Sequence, residues 1–151
     1  MIYIIIIAAC VALDQLSKYL VQTKLQELGS VPIIENVFHL TYARNTGAAF
    51  SILRDKQLLL ILFTFIAIAM LIGLLLKNIK LSGNLVVNYS LVFIIGGAIG
   101  NLIDRMRLNY VIDFFDFRLI NFAIFNVADM FVVFGAVLLG FAVLVLKAEI
   151  Y

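Results

Sequence analysis

The sequence predicts an α-helical integral membrane protein: four membrane-spanning helices, with a small β-sheet and a short interfacial helix on the longer connections. Three features say so. Of 151 residues, 65% are hydrophobic and 13% charged, against roughly 45–50% and about 25% in soluble domains. The mean hydropathy of +1.15 is more than a water-soluble globule of this size can bury. The charges are also sorted: no Asp, Glu, Lys or Arg occurs in 1–13, 57–76, 81–103 or 130–146. A soluble enzyme is therefore excluded. One Cys and one Pro exclude a disulfide scaffold and a disordered chain. A net charge of +2 with no basic run argues against nucleic acid as a partner.

About 20 apolar residues cross a bilayer as a helix. The stretch 1–13 is too short alone, so helix 1 must continue through Asp14, Gln15, Ser17 and Lys18, giving about 2–21. Within it, Ile7-Ala8-Ala9-Cys10 resembles a bacterial lipoprotein cleavage box, but no Lys or Arg precedes it. A cleaved signal needs a basic n-region, so Cys10 reads as a helix-packing residue. In the connection 22–56, Gly29-Ser30-Val31-Pro32 reads as a turn and 37–42 as a strand, rich in β-branched and aromatic residues. Asn45-Thr46-Gly47 ends that strand, and the apolar piece 50–53 is the expected interfacial helix. Helix 2 is expected at about 57–76, and Ser82-Gly83-Asn84 turns the chain into helix 3 at about 85–105. In 106–127 the pieces 110–117 and 122–125 are strand-like; helix 4 follows at about 128–147. An even number of spans puts 22–56 and 106–127 on one face. The whole chain, 1–151, is expected to form one membrane-embedded domain.

Ionisable groups at membrane depth cost on the order of 2.5–3.5 kcal/mol each on insertion scales, so those present need a reason. Asp14 and Lys18 are four apart with the acid first, the favourable order for a helical ion pair. They are either an anchoring pair or a polar wall of a site. Helix 3 ends Gly96-Gly97-Ala98-Ile99-Gly100-Asn101-Leu102-Ile103-Asp104-Arg105. Gly96 and Gly100 allow close helix approach. Gly97, Asn101 and Arg105 share a face, suited to an extended peptide backbone. Helix 4 starts Phe125-Asn126-Val127-Ala128-Asp129, which puts Asp129 in the first turn, where the helix dipole favours an anion. Ala136 and Gly140 lie roughly on the same face as Asp129, which makes it small and approachable. Between the last two helices, Val111-Ile112-Asp113-Phe114-Phe115-Asp116-Phe117 sets two acids among aromatics, where desolvation raises a carboxyl pKa.

These residues sort the reaction classes. Zinc chemistry needs several His or Cys ligands, and the chain has only His39 and Cys10. His39 sits in a predicted strand and reads as a packing residue rather than the base of a Ser-His-Asp triad. Ser17 and Lys18 are helix neighbours that point about 100° apart. Carboxylates near one membrane face remain. Two close carboxylates share a proton, so one can activate water while the other protonates a carbonyl oxygen. That is aspartic-protease chemistry without metal or cofactor, with Asp129 paired to Asp113 or to Asp116.

Five motifs in order then carry a resemblance. Asp14-Gln15-Leu16-Ser17-Lys18, Tyr42-Ala43-Arg44-Asn45-Thr46-Gly47-Ala48-Ala49-Phe50, the Gly96-to-Arg105 segment quoted above, Val111-Ile112-Asp113-Phe114 and Phe125-Asn126-Val127-Ala128-Asp129 resemble motifs of the lipoprotein signal peptidases, the signal peptidase II family. Ala123 stands where that family usually has a Pro shortly before the last motif. The resemblance implies that Asp113 and Asp129 are the catalytic pair. It implies that Asp14, Lys18, Asn45, Gly97, Asn101, Arg105, Asn126 and Ala128 bind substrate or support that pair. It further implies a bacterial prolipoprotein substrate whose Cys carries diacylglycerol, cut on the N-terminal side of that Cys. No metal or cofactor is expected; membrane lipids are partners, and a monomer is expected.

Orientation divides the two lines of reasoning. Lys24, Arg44, Arg54, Lys56, Arg105, Arg107 and Arg118 lie on the longer connections or at the helix ends beside them, against Lys77, Lys80 and Lys147 on the other face. The positive-inside count puts the longer connections in the cytoplasm. The resemblance puts them outside the bacterial inner membrane, with both termini cytoplasmic and the site near the outer face. The rival function is a small transporter coupled through Asp14, which would need one buried acid and short loops; a scaffold would need no buried acids.

Overall fold

The computed structural model describes residues 1–47 and 53–150. In chain order they form α1 (Ile2–Leu25), β1 (Ser30–Ile34), β2 (Phe38–Asn45), α2 (Gln57–Lys80), α3 (Leu85–Leu108), β3 (Val111–Phe117), a 3-10 turn (Arg118–Ile120) and α4 (Val127–Leu144). All four long helices are long and apolar enough to cross a membrane. The expected interfacial piece at 50–53 lies almost wholly outside the described residues.

Helix α3 is the hub. It packs against α1, α2 and α4, and 56% of its most apolar window is buried, against 17–22% for the other three. Hydrocarbon gives no hydrophobic drive between helices, so close packing of small residues must hold them. The glycines of α3 serve this. A methyl on Gly96 would lie 2.7 Å from Cys10 Cβ, and one on Gly100 would lie 2.5 Å from a carboxylate oxygen of Asp14. Gly97 instead faces α4, where a methyl would run into the Ala128 carbonyl and Val132. Gly135 of α4 returns the contact against Ser90 and Ile94.

Three helices run longer than expected and one ends earlier. The last turn of α1 continues because Val21 and Leu25 bury themselves against Ile112 and Phe114. Arg105 and Arg107 occupy the last turn of α3, where cations suit the dipole. Asn109 then closes it in the left-handed conformation, φ 61°. Lys77 and Lys80 do the same for α2. Helix α4 stops at Leu144, where the Ala148 N–H turns back to the Ala142 carbonyl.

The sheet is antiparallel in the order β1-β2-β3. The expected turn at Gly29-Ser30-Val31-Pro32 is corrected: Gly29 turns the chain at φ +73°, and residues 30–34 pair with β2. Pro32 is tolerated because β1 is an edge strand, whose missing N–H leaves no partner short. The piece 122–125 is not a strand. Only Phe125 bridges to Phe115, because Asn121 turns left-handed (φ 47°) and breaks the run.

Candidate active site

The first turn of α4 fixes Asp129 through its own cap. Asn126 accepts the Asp129 N–H on Oδ1 at 3.0 Å, and Asp129 Oδ2 accepts the Asn126 N–H at 3.1 Å. This reciprocal box satisfies two backbone donors at the helix start. It leaves the Asn126 amide free to point away, and it donates to Asp113 Oδ1 at 2.6 Å. One asparagine side chain thus joins the strand acid to the helix acid. Asn45 of β2 donates to the other oxygen, Asp113 Oδ2, at 2.9 Å. Asn101 of α3 donates to Asp129 Oδ1 at 2.8 Å.

Beneath this pair lies a charged layer. Lys18 Nζ is 2.9 Å from Asp14 Oδ2, Asp104 Oδ2 and Asn101 Oδ1. Lys18 is 2% exposed and Asp14 0%, so three donors and three acceptors close on one another away from solvent. A buried charge is tolerated only when paired and hydrogen-bonded in this way. The bonds also settle which way the Asn101 amide faces. Its oxygen receives Lys18 and, at 3.2 Å, Asn126, so its nitrogen must face Asp129.

Asp113 and Asp129 line one open cleft of about 980 Å³, together with Asn45, Asn101 and Arg105. The remaining wall is apolar and comes largely from Phe122, Phe125, Met130, Val133, Phe134 and Val137. Arg105 donates to the Gly47 carbonyl at 3.0 Å, while its buried Nε has no partner among the described residues. Burial, and then the like charge of Asp129, push the Asp113 pKa up to about 7. Amides from Asn45 and Asn126 oppose that rise without cancelling it.

Asp116, the alternative partner, faces elsewhere. Thr41 donates to it at 2.7 Å and Arg118 at 2.9 Å. Partial burial raises its pKa, but the Thr41 and Arg118 hydrogen bonds and the Arg118 charge outweigh this and hold it below the usual range. His39 sits opposite Asp116 in the sheet, with Ser30 Oγ 3.4 Å from Nδ1. Among the described residues no cluster of three or more His, Cys, Asp or Glu has metal-holding geometry.

Of the residues singled out in the sequence, Asp14, Lys18, Asn45, Asn101, Asn126, Asp113 and Asp129 fall into one network, and Arg105 lines the same cleft. Ala128 gives its N–H to Asp14 Oδ1 at 3.0 Å. Gly97 lies in the α3–α4 seam against Ala128, not on the cleft wall. Sequence reasoning offered Asp104 only as half of an interfacial pair with Arg105 and gave Gln15 no role. Asp104 accepts Lys18, Gln15 and the Ile112 N–H. One signal was present: Asp104 is three residues from Asn101 on the same helix, and Lys18 has more bonding capacity than Asp14 alone can fill.

Comparison with known proteins identifies the family. The family model described as signal peptidase (SPase) II matches residues 6–145. The lipoprotein signal peptidase of Caldanaerobacter subterraneus subsp. tengcongensis is 51% identical over 140 residues, covering 91% of this chain and 92% of that one. That of Clostridioides difficile is 45% identical over 150 residues, 99% of each. A solved bacterial membrane enzyme superposes with a TM-score of 0.80 at 34% identity, covering 95% of this chain and 92% of its own. With the motifs, the four spans and the matched length in agreement, the chain belongs to the signal peptidase II family, the peptidases of lipoprotein processing.

Proposed function

We propose that the protein is an intramembrane aspartic endopeptidase that removes the signal peptide from diacylglyceryl-modified prolipoproteins, cutting on the N-terminal side of the lipidated Cys. The observation that carries this reading is the joining of Asp113 and Asp129 through Asn126 in one cleft. Two carboxylates so placed hold one proton between them. A pKa of about 7 puts that proton on Asp113. Asp129 then takes a proton from water as the oxygen attacks the scissile carbonyl, and Asp113 gives its proton to the carbonyl oxygen. Collapse of the tetrahedral adduct returns that proton to Asp113, and Asp129 passes its own to the leaving nitrogen. The pair ends as it began.

The other residues serve binding and support. Arg105, whose Nε has no partner among the described residues, and Asn45 flank the place where a peptide carbonyl would lie. Asn101, Asn126, Asp14, Lys18, Ala128 and Gly97 hold the pair and the helix start that bears it. The apolar wall offers room for the signal helix and the acyl chains. A lipidated Cys sits at the membrane surface, and a cleft at the ends of α1 and α3 beside the sheet would suit it. In this reading the protein is a monomer in the bacterial inner membrane, its termini are cytoplasmic and its cleft opens near the outer face. A transporter coupled through Asp14 fits less well, because Asp14 is spent on Lys18 and Ala128.

The deciding experiment is cleavage of one precursor, with and without diacylglycerol on its Cys, by purified protein. Cleavage confined to the lipidated form is expected. Equal cleavage of both would overturn the substrate assignment, and cleavage of neither would overturn the activity.

A further inference from the structure

Each proposed catalytic aspartate is preceded in the chain by a residue whose backbone N–H is held by a buried acid. Ala128, before Asp129, donates to Asp14 Oδ1 at 3.0 Å; Ile112, before Asp113, donates to Asp104 Oδ2 at 3.2 Å. Lys18 clamps the two acids together at 2.9 Å on either side. The path from one aspartate to the other thus runs through a rigid carboxylate–ammonium–carboxylate bridge. Gln15 braces it, donating to Asp104 Oδ1 at 2.9 Å and to Asp14 Oδ2 at 3.1 Å. Neither Asp14 nor Asp104 lines the cleft, so neither reaches the reacting atoms.

We propose that Asp14, Lys18 and Asp104 form a spacer that fixes the separation of Asp113 and Asp129, with Asp104 as the positioning residue for Asp113. This rests on the reading of Asp113 and Asp129 as the catalytic pair. The chemistry explains the need. How strongly two carboxylates share a proton depends on their distance. One of them rides on a strand and the other on a helix; the Asn126 side chain links their carboxylates directly, and the bridge holds the backbone that carries each of them. A buried ion pair is weak ground for stability but a plausible ground for geometry. The Asn101 amide, turned by the same Lys18, extends the control to Asp129.

The test uses purified protein in lipid vesicles with a lipidated precursor. Asp104→Glu keeps the charge beside Lys18 but moves the oxygen relative to the Ile112 N–H. We expect kcat to fall about 10²-fold with KM within about twofold, the pattern of a misplaced catalytic group. The two limbs of the pH–rate profile should also move relative to each other, because the repulsion between two carboxylates depends on their separation. The charged groups facing the pair are Asp14 and Lys18 from α1, Asp104 and Arg105 from α3, and Arg44 from β2. Asp104→Glu changes none of these charges, so moved limbs report geometry. Asn88→Ala, at the far end of α3, gives the reference for plain destabilisation: a lower unfolding temperature with the limbs in place. Unmoved limbs or an unchanged kcat in Asp104→Glu overturn the spacer. If that variant does not fold, amide exchange in the unsubstituted protein decides. The Ile112 and Ala128 N–H groups should exchange as slowly as the buried turns of α3, and fast exchange at either overturns the proposal. Activity retained in Asp113→Asn or Asp129→Asn would remove the catalytic-pair reading itself. If both are inactive while Asp104→Glu behaves as the unsubstituted protein, only the spacer falls.

Discussion

Helix α3 carries a hydrogen-bonded amide near each end, Asn88 buried and Asn101 half-buried, and the two stand in different company. Near its start, Asn88 is 2% exposed; it donates to the Tyr3 hydroxyl at 3.1 Å and accepts from Asn78 at 2.8 Å. Asn78 also reaches the Asn84 carbonyl. This cluster is neutral and ties the α2–α3 turn to α1. Near the other end, Asn101 stands among three acids and Lys18, beside a cleft of about 980 Å³. Hydrogen-bonded polar side chains inside the helix packing are common to both, so they do not mark a site. Charge and open volume set the second one apart.

The sharpest way to break this comparison lies within β3. Asp113 and Asp129 line the cleft, whereas Asp116 is tied to Thr41 and Arg118. Asp113→Asn and Asp129→Asn should each lower cleavage of a lipidated precursor by about 10²–10⁴-fold, the range for loss of a general acid or base. Asp116→Asn should leave the rate per folded molecule within about threefold, since it removes no group from the cleft. Steady-state rates on folded, purified protein check this. A dead Asp116→Asn with an active Asp113→Asn would reverse the assignment.

The same two acids should pull stability in opposite directions with pH. Asp113 has a folded pKa of about 7, above the unfolded value of about 3.9. Its contribution is therefore full below about pH 4 and is lost as pH rises towards 7, by on the order of a few kcal/mol. Asp116 is held below its usual range, so its contribution is present above pH 4 and lost as pH falls through its folded value. Unfolding temperatures measured from pH 3 to 8 should lose the neutral-side decline in Asp113→Asn and the acid-side decline in Asp116→Asn. Cleavage should also fall as pH rises through about 7, where Asp113 loses its proton.

Much of this was legible because hydrocarbon punishes charge. The stretches free of Asp, Glu, Lys and Arg fall largely within α1 to α4, and of the acids left over Asp14, Asp104, Asp113 and Asp129 come together at the candidate site. Strand periodicity alone puts Asp113 and Asp116, three apart, on opposite faces. It does not say which face meets α4, and that choice came from the resemblance. Residues 30–32 read as a turn because edge strands accept turn formers. Asp104 read only as half of a pair with Arg105 because its partners, Gln15, Lys18 and Ile112, come together only when α1, α3 and β3 pack.

The far cluster should yield a smaller effect of a different kind. Asn88→Ala removes two interhelical hydrogen bonds and strands Asn78, which should cost roughly 1–2 kcal/mol given the modest worth of such bonds in membranes. Thermal unfolding should register it, and cleavage per folded molecule should not. A large loss of activity would mean that the two ends of α3 are coupled.

A last contrast separates two glycines, and the smallest effect expected is at the second of them. Gly97 has no space for a methyl, because the Ala128 carbonyl and Val132 of α4 occupy it, whereas Gly140 has nothing within 4 Å. Gly97→Ala should therefore cost about 1–3 kcal/mol through overpacking and lower kcat by moving α4 off Asn101. Gly140→Ala meets no neighbour and improves helix propensity by up to about 1 kcal/mol, so its unfolding temperature should stay level or rise slightly. Gly140 lies one turn beyond Val137, the last α4 residue on the cleft wall. If the signal helix docks along that open face, the added methyl should raise KM by about threefold without touching kcat, the mark of an interaction common to ground and transition states. An unchanged KM would confine the substrate to the wall between Asp129 and Val137.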